Sequence, residues 1–484
     1  MGEEQNNSLE SKEKEKEPGF TGIAKKIWPV FSKNMFGPFI WYSTWMNINI
    51  IFFSNLFWPG DEYHSTEFGL FFGLITIMFA ISGLFFGVLA DRFSRIKLMA
   101  LQTMYEGVLI VLMGLTPTGL GNVSFGFFLV INLIKCIYGV GPIYESYLSD
   151  AIELHERSRY MGFIGSIHQL MGVSLTLFCS LFIEFIWRQY FWVLGVYYII
   201  WGVVIYRKAV EPKRGAKKKE LKSILKLETA EYKYQLNRET LKSTIFSPTN
   251  ILAFVEGFFT RAITAIPFIV IYAYLESAPF HIHPSTIAIA GMFFNIPLGI
   301  VGNLVFGQLS DKYGKKNVKN RIYFIIVSLL VTYISWLVFV MIPLPHLTPA
   351  QGRNIGTVLS FPAFFILFLI GGIGAMVGPM FAVNQRPLIQ SINLPEAQGA
   401  IASANSFLES LGAAFGMIFS GTLIALFSYN YQLVGGILAG LGIIGAVLWL
   451  LSLKWIDKDT ARISRILEER AKEIENTTLK KEDE

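Results

Sequence analysis

Glu106, Lys135, Glu145, His168, Glu256, Arg261 and Glu409 stand inside long apolar runs of this 484-residue chain. At the centre of a membrane helix a charged side chain costs roughly 2.5–3.5 kcal/mol on insertion scales, so such residues are kept for pairing or for function. A carboxyl in that setting can take up and release a proton, and a base can hold an anion. Glu409 lies in Ala404-Asn405-Ser406-Phe407-Leu408-Glu409-Ser410-Leu411-Gly412, a stretch whose small residues suit either proton carriage or close helix packing. Arg261 is a fork for a carboxylate or phosphate; otherwise it is an ion-pair partner of Glu256 or Glu409. Glu256 precedes it by five residues and stands about 140° away around a helix, which argues against that pair. Lys135 either tunes a nearby carboxylate or forms a structural pair with an acid such as Glu106. His168, beside Gln169, suits substrate binding, proton transfer or a helix-to-helix hydrogen bond. Asn47, near Tyr42, Trp45 and Asn49, and Asn295 add polar lining.

The elements that hold these groups are membrane helices. The chain is 53% hydrophobic and 16% charged, whereas soluble domains carry about 25% charged residues. Twelve runs approach the ~20 residues that cross a bilayer: about 36–58, 67–90, 97–115, 123–148, 160–183, 190–207, 249–275, 286–308, 321–342, 357–380, 398–426 and 431–453. Lys and Arg crowd the loops on one side, among them Arg157, Arg207, Lys213, Lys319 and Arg386, while Arg188 and Arg353 mark the other. Both termini are therefore expected in the cytoplasm. The N-terminal Glu/Lys mixture has no apolar core of a cleaved signal peptide. Cys136 and Cys179 sit in apolar runs and offer neither a disulfide framework nor a metal cluster, and the loop pair His281-x-His283 is too sparse for one. The net charge of +6 reflects anchoring residues, so no nucleic-acid partner is expected. With no G-x-x-x-x-G-K-[ST] loop and no paired nucleophile and base, neither a nucleotide cofactor nor an enzyme is expected.

A charged string ends two of these runs. Gly87-Val-Leu-Ala-Asp91-Arg92-Phe-Ser-Arg95-Ile-Lys97 is repeated as Gly307-Gln-Leu-Ser-Asp311-Lys312-Tyr-Gly314-Lys315-Lys316, at an offset of 311 − 91 = 220 residues. Gly141-Pro142 and Gly162 recur as Gly378-Pro379 and Gly399, at an offset of 378 − 141 = 237, which places an insertion near Pro343 to Arg353. The chain is a duplication. An Asp at a helix end can pair with the adjacent bases and face the positive end of a neighbouring helix, closing one side of the bundle in one conformation; the alternative is that the bases only anchor topology.

The repeated string resembles the signature of the major facilitator superfamily, over about residues 35 to 455, with Ser94 where the family has Gly. Lys135-x-x-x-Gly139-x-Gly141 is similar to the family's R-x-x-x-G-x-G pattern, which in proton-coupled members marks a base tied to proton transfer; Lys in place of Arg forfeits bidentate binding. The antiporter Gly-Pro signature of the fifth helix is missing. The resemblance implies an all-α membrane protein of twelve helices in two pseudo-symmetric halves: 35–207 and 249–455, with a tail over 1–34, an amphipathic linker over 208–248 and a tail over 456–484. It further implies a monomeric secondary transporter in contact with membrane lipid, moving a small anionic or amphipathic solute in exchange or symport with protons by alternating access. A lysolipid or drug exporter and a non-transporting sensor or scaffold are the alternatives.

Overall fold

The computed structural model describes residues 27–35, 49–138, 143–144, 147–148, 151, 154–211, 246–263, 269–314, 316–394 and 397–482. Helices α1 (Trp28–Met35), α2 (Ile50–Phe57), α3 (Ser65–Arg92), α4 (Arg95–Met113), α5 (Asn122–Cys136) and α6 (Leu154–Lys208) make up the first part. They are followed by α7 (Pro248–Ala262), α8 (Ile271–Glu276), α9 (Pro284–Gly314), α10 (Lys319–Met341), α11 (Pro349–Gly352) and α12 (Ile355–Ser360). The last are α13 (Pro362–Val377), α14 (Pro379–Ser391), α15 (Gln398–Leu426), α16 (Tyr431–Ser452) and α17 (Ile456–Glu482). Hydrocarbon offers no water to backbone amides, so an apolar run of this length closes its own hydrogen bonds as a helix.

Among the described residues, eight helices are long and apolar enough to cross a membrane. The other four expected runs fall on α2, α5, the first part of α6 and the pair α7 and α8, and parts of three of them lie outside the described residues. The tenth run is split into α13 and α14 at Gly378-Pro379, where Pro379 has no N–H to continue the helix.

Helix α6 has 55 residues and would be about 82 Å long if straight. Contacts at three of its positions show that it doubles back. Ile164 and Ile205 join one apolar cluster with Ile96, at the start of α4. Between them, Arg188 donates to Gly114 O at 3.1 Å, at the far end of α4. The chain therefore climbs from the face that carries the charged repeats to the opposite face near Arg188 and returns, as two runs were expected to do.

The two parts of the chain meet along two seams, α3 against α15 and α6 against α9. Duplication exchanges the second helix with the eighth and the fifth with the eleventh, so each seam is the image of the other. The α3–α15 approach is tight on the opposite face: a Cβ at Gly69 would lie 2.7 Å from Met417 O, and Ser65 Oγ donates to Gly421 O at 3.0 Å. There too an aromatic cluster ties helices together, with Phe57 and Phe68 rings 6.4 Å apart and Phe71 and Phe128 rings 5.5 Å apart. Interdigitated rings supply van der Waals contact where lipid removes the hydrophobic drive.

Both ends of the chain dock on the bundle. Ile27 and Val30 are buried with Phe86 and Ile96, and the Trp28 ring meets Trp201 edge-on at 6.1 Å; the residues before 35 expected as tail thus include a packed helix. At the other end, Ile456 and Ile463 are buried, Asp457 pairs with Lys319 at 2.5 Å and Asp459 Oδ2 accepts from Thr249 N at 3.2 Å. Of the expected linker, residues 212–245 lie outside the described residues.

If the α3–α15 seam is closed on this face, a Thr76→Cys/Met417→Cys protein, at positions whose side chains meet at 3.9 Å, will be joined by a short bifunctional thiol reagent. Adding Gly69→Leu, which forces a side chain against Met417 O, will cut the yield by more than half; an unchanged yield would show that the seam does not depend on that contact.

Candidate substrate and coupling site

Among the described residues, two of the expected site's ion pairs are formed, one in each part. In the first, Gln102 Nε2 of α4 donates to Glu106 Oε2 at 2.6 Å, and Lys135 Nζ of α5 stands 3.9 Å from Glu106 Oε1. Both charged side chains are nearly buried, at 13% and 9% exposure for Glu106 and Lys135. Lys33 of α1 adds a second positive charge acting on Glu106. The geometry here is that of a helix-to-helix pair.

The second centre joins three helices. Arg261 Nε of α7 donates to Glu409 Oε2 of α15 at 3.0 Å. Glu409 Oε1 accepts from Asn405 Nδ2 at 2.7 Å and from Gln385 Nε2 of α14 at 3.2 Å. Three donors and one full positive charge suit the ionised carboxylate. Gly257 makes room, since a Cβ there would lie 2.9 Å from Glu409 Cγ. The side chains differ in exposure, 46% for Arg261 against 12% for Glu409, so the acid is enclosed while the guanidinium reaches open space.

Glu256, about 140° from Arg261 around α7, is completely buried against α10 and α16. Thr260 Oγ1 donates to Glu256 Oε1, and Tyr333 OH of α10 donates to Thr260 Oγ1 at 3.0 Å. Glu256 Oε2 and the Trp449 indole N–H are both buried without a well-formed hydrogen bond, yet close enough to attract each other. Glu256 thus belongs to the interior of its own bundle, apart from the Arg261–Glu409 pair.

The remaining expected residues divide plainly. His168 stands half-buried on α6. Asn47, Glu145 and Lys315 lie outside the described residues, as do the side chains of Gly87, Asp91, Arg92 and Asp311 at the ends of α3 and α9. Gly307 opens onto free space, Gly314 packs on Arg321, and Lys312 is exposed. Arg95 is the surprise. It is only 1% exposed and its Nε donates to Glu211 Oε1 at 2.8 Å. Glu211 also accepts from Ile96 N at 3.1 Å and Ser94 Oγ at 2.8 Å, so one carboxylate clips the end of α6 to the start of α4. Ser94, the departure from the family's Gly, caps α4 by accepting from Lys97 N at 3.4 Å.

Gln102, Gln385, Asn405 and Glu211 were not singled out by sequence. The first and third carried a signal, an amide four residues before an acid on one helix face.

The bundle is a duplicated set of apolar helices with paired charges held inside each half. Residues 31–383 match the family model of the Major Facilitator Superfamily, and the chain belongs to that family of transporters. The fold is similar to the crystal structure of a bacterial homolog to the human lysosomal transporter Spinster in an inward-facing and unoccupied conformation. The TM-score there is 0.62 at 16% identity, covering 89% of this chain and 98% of that one. It is also similar to the crystal structure of a D-xylose–proton symporter, with a TM-score of 0.56 at 14% identity, covering 86% of this chain and 97% of that one. No curated protein sequence matches the chain.

Burial alone would push the Glu211 carboxyl up, but the bonds from Arg95, Ile96 and Ser94 outweigh it and hold the group below the usual carboxylate range. A depressed acid stabilises the fold above its unfolded pKa, about 4.3, and the contribution disappears as pH falls through the folded value. Glu211→Gln, which leaves the buried Arg95 without this charge, should lower Tm by about 3 °C or more at pH 7. The deficit should shrink below pH 4; a pH-independent deficit would mean that the carboxylate charge is not what holds the clip.

Proposed function

We propose that this chain is a proton-coupled secondary transporter that carries a small anionic or amphipathic solute by alternating access, with Arg261 and Glu409 at its centre. The observation that carries this is the unequal exposure of the pair: a half-exposed guanidinium bonded to an enclosed carboxylate. An anionic group can bond to the guanidinium by charge-assisted hydrogen bonds in competition with its present partners. Glu409 would then lose its cation, and a carboxylate enclosed in protein sheds an uncompensated charge by taking a proton. Solute and proton thereby enter together. The similarity to a proton symporter structure supports the coupling.

The remaining parts are assigned on the same basis. Twelve crossings form halves over 35–207 and 249–455, and the Lys and Arg distribution puts the charged face and both termini in the cytoplasm. With the seam closed on the opposite face, the state is inward-facing, in keeping with the similarity to an inward-facing structure. Asp91 with Arg92, and Asp311 with Lys312 and Lys315, are the candidates for closing the cytoplasmic side; Arg95 is committed to Glu211. Glu106 and Lys135 brace helices three and four. Tyr429 OH, bonded to Tyr63 O at 3.1 Å, reinforces closure of the far face.

The test is uptake of labelled organic anions and neutral analogues into proteoliposomes under a pH gradient. Arg261→Gln should weaken the anion by about tenfold, the scale of one charge-assisted hydrogen bond, and leave a neutral analogue nearly unchanged. Glu409→Gln should abolish gradient-driven accumulation while exchange of labelled for unlabelled solute persists. Equal loss for both analogues would make Arg261 a structural partner, and loss of exchange in Glu409→Gln would remove the proton from that site.

A further inference from the structure

A groove of about 370 Å³ lies between α9, α10 and the bend at Gly378-Pro379, apart from the Arg261 centre. That volume is within the range of ordinary ligand sites, roughly 300–1,000 Å³. Its walls are Phe306 and Tyr313 of α9, Phe324, Val327 and Val331 of α10, and Met380 of α14. The one side-chain amide on the wall, Asn320, donates to Tyr313 O at 2.9 Å. The walls are otherwise carbon, with the phenol groups of Tyr313 and Tyr323 as the remaining polar atoms among the side chains.

The mouth is different. Lys312 and Lys316 place their Nζ atoms 5.9 and 5.8 Å from the centre of the Tyr313 ring. Among the described residues neither forms an ion pair, whereas Lys319 is neutralised by Asp457. Tyr323 and Val327, each 51% exposed on a membrane-crossing helix, open the groove sideways. An apolar slot, open laterally and capped by two ammonium groups at the end of a crossing, has the charge and shape of a lipid, not of a soluble metabolite.

We propose that this groove binds one anionic phospholipid of the leaflet on the charged face, with an acyl chain against Phe324, Val327 and Met380 and the phosphate between Lys312 and Lys316. The bend it abuts is held by Ser328 Oγ, which donates to Val377 O at 2.8 Å, and Gln385 of the Glu409 cluster lies on the helix that begins there. The site does not depend on the identity of the transported solute.

The test is native mass spectrometry of the full chain in detergent, titrated with phosphatidylglycerol or with phosphatidylcholine of the same acyl chains. Wild type should retain phosphatidylglycerol preferentially. Lys312→Gln/Lys316→Gln, both at exposed positions, should lower that preference by about fivefold for each lysine lost. Val327→Trp, which fills the slot, should reduce retention of both lipids. Equal retention of the two lipids by wild type, or unchanged retention in the lysine variant with Tm preserved, would overturn the proposal.

Discussion

An ion in hydrocarbon must find a counter-ion inside the protein, and the second half of this chain is arranged around that requirement. Arg261 and Glu409 are on different helices, so α7 and α15 have to approach closely enough for one N–H···O bond of 3.0 Å. Small residues make this possible: Gly412 and Gly416 receive the carbonyls of Phe258 and Ala262, and Gly257 receives Glu409 itself. The packing stripe and the charged centre, which looked like alternatives in the sequence, share one face of α15. Glu409 is enclosed by protein and Arg261 is half-exposed, which is the basis for the proposed order in which an anion would meet the base first.

The duplication is legible in how the halves are fastened as well as in where they meet. After the last membrane run of each half, an acid turns back onto the start of an earlier helix. Glu211 reaches the amides at the start of α4, and Asp459 reaches the second residue of α7. Both use a carboxylate at the positive end of a helix, where orphan N–H groups are otherwise unpaired. The helices so clipped differ between halves, the third in one and the first in the other, so the copies have diverged in detail while keeping the device.

What sequence revealed followed from local regularity. Run lengths located the crossings, including the return inside α6 that the continuous helix conceals. The turn angle between Glu256 and Arg261 separated two acids of similar appearance, and burial of Glu256 against Tyr333 and Trp449 is the consequence. The amides of Gln102 and Asn405 were readable from their four-residue spacing. Gln385 and Glu211 were not, because their partners lie 24 and 116 residues away and meet them only through tertiary packing. Helix α1 was hidden by its basic flank: Lys25, Lys26 and Lys33 surround only a short apolar stretch, and its Trp28–Trp201 contact comes from the other end of the half.

The central claim is that Arg261 is exposed to one side of the membrane at a time. It is tested most directly by a membrane-impermeant thiol reagent applied to a single cysteine at position 261, in a Cys136→Ser/Cys179→Ser background, using vesicles of both orientations. In the closed-seam state, labelling should come from the charged face alone; with Gly69→Leu added, it should appear from the opposite face. Labelling from both faces of the parent protein, or from neither, would contradict alternating access at this residue.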